Sequence, residues 1–413
     1  MSVLAASKQG FPQPPEPGLT PAAAVSRAEA IAATLVDRQQ ETEDRTYYAV
    51  DTHEAFAEAG LYRLLVPRRY GGYAFGVDTF LRVSIALSRG CPSTGWMYTL
   101  GAVHALAVTT MFPERAQQEV FAGGDFICPA TVMPGGTAER VDDGWIVNGT
   151  WGYCSGAPYA THFVGHAMAA RDGGEPAPMM FIAPRERWRR LDDWGQQLGL
   201  RGSGSHSITM ENAHIPDHYT LAGHMSEFSV AGGTPGLRLH GNPEYGGGPL
   251  SFMNMESAVL AVGIARGALD AYEELMRTRN TLFPPVVPRT HDPDYQYWYG
   301  EASGLIATAE AATHNAVQQW QQACARGPET FTREFEMHIA TICRQVVQLC
   351  WRAVEQHLLP TAGSSAVRRG QRLERVWRDM SMLHTHAGFT VFLAAKAQRE
   401  LAKARFDVEE VPR

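Results

Sequence analysis

Apolar residues recur at helical spacing through the first part of the chain. Thr20 and Pro21 supply an N-cap and a first-turn proline, and Ala28, Ile31, Ala32, Leu35 and Val36 then fall at helical intervals. A second helix is predicted over residues 52–59, closed by Gly60, with further helical patterns over 77–88, 93–110 and 113–121. Residues 1–19, rich in proline and polar side chains, read as a loose arm, and residues 20–125 as a helical domain.

The texture changes after Gly123-Gly124. Short apolar runs at 126–132, 145–154, 161–169, 179–182 and 207–214 read as strands, separated by glycine and proline turns. They predict a small barrel or sandwich over residues 126–220. Residues 221–248 are glycine-rich with little periodicity and read as a long connecting loop. Four long helical patterns follow, at 250–279, 292–325, 330–359 and 367–404, and predict an antiparallel four-helix bundle over residues 249–413. The order is α, then β, then α, which makes an α+β chain that is mostly α.

Composition adds exclusions. Of 413 residues, 45% are hydrophobic, ample for a large core, and 36 basic against 43 acidic side chains leave a net charge of −7. The two signs are interspersed, so no basic stripe competes for nucleic-acid phosphates. No run of about 18 apolar residues appears, and the start lacks a charged segment followed by an apolar one, so a soluble, cytoplasmic chain with no membrane partner is expected. The six cysteines lack C-x-x-C spacing and read as free, buried thiols.

Several chemistries fail on spacing. The string GLRGSG at 199–204 leads into a predicted strand, where it has no helix N-terminus to offer a pyrophosphate. No G-x-S-x-G elbow occurs. His162 and His166 share a strand face but stand about 13 Å apart, too far to chelate one ion. His214 and His218 flank Pro216 at a strand exit and read as surface residues, so no metal is expected. His384 and His386, two apart on a predicted helix, are turned by about 200°, so at most one enters a given pocket.

Two strings carry a resemblance. GTWGYCSGAPYA at 149–160 and QLGLRGSGSHSITMENAHIP at 197–216 resemble strands of the acyl-CoA dehydrogenase superfamily, and the α, β, α order is also that family's. The resemblance implies an N-terminal helical domain, a central β-barrel domain and a C-terminal four-helix bundle. It also implies that Ser155 approaches the N5 edge of a flavin. Where many dehydrogenases carry a catalytic glutamate, eight residues after an Arg-Asp pair, Arg378-Asp379 here leads to Ala387. Alanine accepts no proton, so α-proton abstraction from a thioester loses its base.

The residue before that alanine is His386, whose unperturbed pKa near 6.5 suits a general base. With CPSTGW at 91–96 and the downstream His104, the pattern resembles the flavin-dependent hydroxylases of this fold, oxygenase components of two-component systems that act on phenols and indoles. That likeness implies reduced FMN or FAD, O₂ as co-substrate, reaction by way of a C4a-hydroperoxide, and a homotetramer. Since no nicotinamide signature is present, a separate NAD(P)H-dependent flavin reductase is expected. The implied catalytic residues are His386, Ser155 and His104, the last otherwise a satisfied core histidine. The implied cofactor contacts are Ser155, Trp96 and Arg279, the arginine resembling one that reaches flavin phosphate across a subunit contact and otherwise being a solvated helix-end charge. Two alternatives remain open: an acyl-CoA dehydrogenase or oxidase with bound FAD, and a non-catalytic binding subunit of this fold.

Overall fold

The computed structural model describes residues 10–171 and 173–408. Seven helices open the chain: α1 (Pro21–Leu35), α2 (Gln39–Arg45), α3 (Val50–Glu58), α4 (Val77–Gly90), α5 (Pro92–Ala102), α6 (His104–Met111) and α7 (Glu114–Val120). Thr20 caps α1 by accepting from the Ala23 amide. Of the arm before α1, residues 1–9 lie outside the described residues. Residues 10–19 form no helix or strand but are pinned, because Arg63 donates to the carbonyls of Pro12 and Gln13 at 3.0 and 2.9 Å and Phe11 packs edge-on against Tyr70. At the α4 to α5 corner a Cβ on Gly95 would collide with Ser88, so glycine lets the two helices cross closely. The next residue, Trp96, reaches Ser155 in the turn after the strand ending at Trp151.

The strands are β1 (Ala130–Val141), β2 (Gly144–Trp151), β3 (His162–Arg171), β4 (Gly174–Pro184), β5 (Arg189–Arg190), β6 (Ile208–Pro216) and β7 (Thr220–Ala222). They form one seven-stranded sheet in the order β5-β6-β2-β1-β3-β4-β7, with β1 and β3 parallel and every other pair antiparallel. The expected central β domain is this mixed sheet, and among the described residues its end strands β5 and β7 do not pair with each other. Trp151, Phe163 and Phe181 meet at ring distances of 5.5 to 6.0 Å and fill its inner face.

The first strand differs from expectation, starting at Ala130 and running on through Pro134, Gly135 and Gly136. Those residues look like a turn in sequence, yet the glycines are needed inside the strand. A side chain on Gly135 would fall on the Trp151 ring, and one on Gly136 would strike the Asn148 carbonyl.

Residues 221–248 are more ordered than a connecting loop. They hold β7 and a short helix, α8 (Pro235–His240), capped by Thr234. The Met225 amide donates to His166 Nε2 at 3.1 Å, so His166 is protonated on Nδ1, which donates to the Thr131 carbonyl at 2.8 Å. Both ring nitrogens are spent on fastening this segment to the sheet.

The closing helices are α9 (Pro249–Thr278), α10 (Pro293–Arg326), α11 (Arg333–Arg352), α12 (Leu359–Ala362), α13 (Arg372–His384) and α14 (Ala397–Arg405). A π-helical segment, Ala353–Leu358, joins α11 to α12, and another, Gly388–Lys396, precedes α14. Helices α4 and α9 start after Gly76 and Gly248, which have no side chain to cap with. Each borrows a carboxylate instead: Glu244 accepts from the Val77 amide and Glu336 from the Ser251 amide, both at 2.7 Å. Burial raises the Glu336 carboxyl to about 7. Among the described residues no helix is long and apolar enough to cross a membrane, and all six cysteines are free and buried.

Candidate functional site

Four segments converge at the edge of the sheet. Helix α5 supplies Trp96, the turn after β2 supplies Ser155, residues 199–207 supply Ser203 and Ser205, and the break after α13 supplies His386. Trp96 Nε1 donates to Ser155 Oγ at 2.9 Å. Ser155 Oγ lies 2.8 Å from Ser205 Oγ, which lies 2.7 Å from Ser203 Oγ. The three serines and Trp96 are all buried. The His386 ring meets the Trp96 ring edge-on, centroids 5.6 Å apart.

The turn that presents Ser155 is strained. Tyr153 has a φ of 61° and is 62% exposed, with its ring edge-on to Trp194 at 5.4 Å. The turn thus holds a left-handed aromatic residue open to solvent beside a buried hydroxyl. Sequence reasoning missed Tyr153, since nothing in GYCSG announces its backbone conformation.

The loop bearing Ser203 and Ser205 is fastened from α13. The Leu200 amide donates to Asp379 Oδ1 at 2.5 Å. Ser93 accepts from the Gly202 amide at 3.3 Å and donates to Asp379 Oδ2 at 3.5 Å. Arg378 donates to the Leu198 carbonyl and to Glu43, both at 2.9 Å. A Cβ on Gly199 would collide with the Arg378 backbone carbonyl, so the loop and helix touch main chain to main chain. The Arg378-Asp379 pair is therefore a clasp on the serine loop. Burial, with the Glu43 carboxylate nearby, raises the Asp379 carboxyl to about 7.

His386 is not on a regular helix. Helix α13 ends at His384, and residues 385 and 386 form a turn and a bend. The 200° argument therefore does not apply, although the two histidines do separate: His384 stacks on Trp351 at 4.6 Å. The Gly388 amide donates to His386 Nδ1 at 3.2 Å. With Nδ1 an acceptor, this neutral imidazole carries its proton on Nε2. The surrounding protein lowers its pKa below the ordinary value even though the residue retains exposed surface. Ala387, beside it, is exposed.

Two other expected residues stand elsewhere. His104 is buried at the start of α6, with Nδ1 2.7 Å from the Cys128 carbonyl, and burial lowers its pKa to about 4. Among the described residues no hydrogen bond or ring contact joins it to Trp96 or Ser155. Arg279 follows α9, where its Nη1 donates to Ser365 Oγ at 2.7 Å. A cleft of about 490 Å³ between α1, α4, α9 and α13, lined by Arg89, Arg266, Asp270 and Arg372, includes none of the trio Trp96, Ser155 and His386. The chemistry-bearing groups make the trio, not this cleft, the candidate site.

The set fits a planar heteroaromatic cofactor. Tyr153 offers an exposed aromatic face, and Ser155 offers a hydroxyl held from behind by Trp96. Family models match the chain twice, as the acyl-CoA dehydrogenase N-terminal domain over residues 23–122 and its C-terminal domain over residues 255–391. A flavin-dependent monooxygenase oxygenase subunit of Rhodococcus jostii is 30% identical over 369 residues, covering 88% of this chain and 94% of the relative. An FADH(2)-dependent resorcinol hydroxylase, oxygenase component, of Rhizobium sp. is 25% identical over 374 residues, covering 88% and 89%. The crystal structure of 3-HSA hydroxylase from Rhodococcus sp. superposes with a TM-score of 0.84 at 27% identity, covering 94% of this chain and 98% of that one.

Proposed function

The chain belongs to the oxygenase components of flavin-dependent monooxygenases built on the acyl-CoA dehydrogenase fold, and from that membership we propose that it hydroxylates an electron-rich ring, phenolic or indolic, at the site formed by Trp96, Ser155 and His386. It is an enzyme that uses reduced FMN or FAD together with O₂, and the reduced flavin comes from a separate reductase. When bound, the flavin supplies the two electrons that let one oxygen atom enter the substrate while the other leaves as water.

What the chain's own residues do follows from their placement. Ser155 holds the cofactor's edge, and the Trp96 N–H fixes the Ser155 oxygen so that the hydroxyl does not wander. Tyr153 covers ring surface and keeps water from it, which protects against wasteful peroxide release. His386, with its proton on Nε2, donates a hydrogen bond to the substrate's oxygen. To take a proton through Nε2 it first has to change tautomer and give up its bond from Gly388. His104, committed to the Cys128 carbonyl, positions α6 against the start of the sheet. Arg279 reaches a neighbour's flavin phosphate in a cytoplasmic homotetramer, and the reductase draws on NAD(P)H.

The observation that carries this reading is the buried Trp96 to Ser155 hydrogen bond with the His386 ring edge-on to Trp96 and alanine at position 387. The test mixes the protein with chemically reduced FMN or FAD under nitrogen, admits O₂ in the presence of phenols and indoles, and measures hydroxylated product against hydrogen peroxide. Substrate-dependent product is expected. Bleaching of tightly bound flavin by an acyl-CoA thioester under nitrogen would instead establish a dehydrogenase.

A further inference from the structure

The serine row behind Ser155 has a direction. An indole N–H only donates, so Ser155 Oγ accepts from Trp96 and spends one lone pair there. The two remaining contacts, Ser155 to Ser205 at 2.8 Å and Ser205 to Ser203 at 2.7 Å, are between hydroxyls; besides an order in which Ser205 accepts from both and leaves its own buried proton unspent, they admit two directed orders. If protons run from Ser155 towards Ser203, the unspent donor is the Ser203 hydroxyl, which is fully buried and has no acceptor among the described contacts. If they run from Ser203 through Ser205, Ser155 accepts twice and the unspent donor is its own proton, beside the turn that carries exposed Tyr153. A buried donor left without an acceptor costs about 1–3 kcal/mol, so the second order wins wherever an acceptor atom sits against Ser155.

We propose that Ser205 is a positioning residue that makes Ser155 a dedicated hydrogen-bond donor, aimed at an acceptor atom of the bound flavin. This rests on the reading that Ser155 touches the flavin. The Asp379 clasp belongs to the same device, because Ser203 and Ser205 hold their places only while residues 199–207 stay fastened to α13 and Ser93. The fixed order also gives selectivity. With both lone pairs filled, Ser155 can only donate, so the atom it meets is one that accepts in both redox states, a ring carbonyl oxygen, and not N5, which carries a hydrogen in reduced flavin.

The test is a double-substitution cycle read by flavin fluorescence titration on the full chain, with oxidised FMN and FAD as probes. Ser205→Ala is expected to weaken binding about three- to tenfold, as expected for one directed hydrogen bond. In a Ser155→Ala background the same change is expected to have no further effect, because Ser205 acts only through that hydroxyl. Ser205→Cys, which keeps the side-chain volume at this buried position but is a weak donor, is expected to lose affinity in the same direction and carries the test if the alanine variant does not fold. Parental affinity in both Ser205 variants alongside weak binding by Ser155→Ala would overturn the proposal and leave the Ser155 contact standing. Parental affinity in Ser155→Ala would overturn that contact itself. Fully additive losses would make Ser205 a loop residue with no directional role.

Discussion

In the proposed reaction, the tautomer of one histidine decides how the substrate is handled. Since Gly388 donates to His386 Nδ1, the resting imidazole presents Nε2–H. His386→Gln retains an N–H donor but no base, whereas His386→Ala retains neither. Product formation at saturating reduced flavin is expected to stay within about tenfold of the parent for glutamine and to fall about 10²-fold for alanine. Equal losses in both would restore the general base expected from sequence. Burial lowers the His386 pKa, so the ring charges only below about pH 6.5, and because imidazolium keeps its Nε2–H the donor role predicts no loss of activity there, whereas a general base would lose it. Ser155 and His386 each sit in a recognisable string, and the structure brings both to Trp96. Ser205 was not legible, although two hydroxyls spaced by one glycine in GSGS are the visible trace of the row. Tyr153 left no trace, since its positive φ is imposed by the turn and not by its own side chain.

At the scale of elements, the long helices were read to within a few residues because their apolar spacing is unbroken. The last one was not. Residues 367–404 carry helical periodicity throughout, but the chain breaks at residues 385–386, where the His386 side chain satisfies the Gly388 amide and competes with the helix. Strand β1 was missed over residues 133–141 for a related reason: Gly135 and Gly136 look like a turn until the Trp151 ring above them is known. The clasp between α13 and residues 199–207 yields a pH test. Asp379 has a folded pKa of about 7, above its unfolded value. Its contribution is therefore fully present below about pH 4 and is lost as pH rises through 7. Asp379→Asn keeps an acceptor for Leu200 but does not titrate. Its thermal midpoint relative to the parent should rise from about pH 4 to about pH 7 and level off above. A difference independent of pH would show that the carboxyl titrates alike in the folded and unfolded chain, with no raised pKa.

For the whole molecule, the α, β, α order followed from where apolar spacing changes period, while assembly did not. Leu282, Phe283 and Val286, 82%, 77% and 60% exposed, cluster on the turn after Arg279. In the proposed homotetramer that apolar turn is covered by a neighbour. Sedimentation should give four times the 45.3 kDa chain mass. Leu282→Glu combined with Phe283→Glu should give smaller species, and a monomeric parent would end the proposal. The borrowed caps have a consequence for hydrogen exchange. First-turn amides usually exchange by local fraying, yet those of Val77 and Ser251 are each held by a carboxylate from a distant part of the chain. Glu244, which also accepts from Gln321 of α10, reaches Val77 from 167 residues away, and Glu336 reaches Ser251 from 85. Neither amide can open unless the segment that caps it also moves. Deuterium uptake at these two helix starts should therefore be as slow as in the core of α9, and Glu244→Gln should speed it at Val77 while leaving Ser251 unchanged.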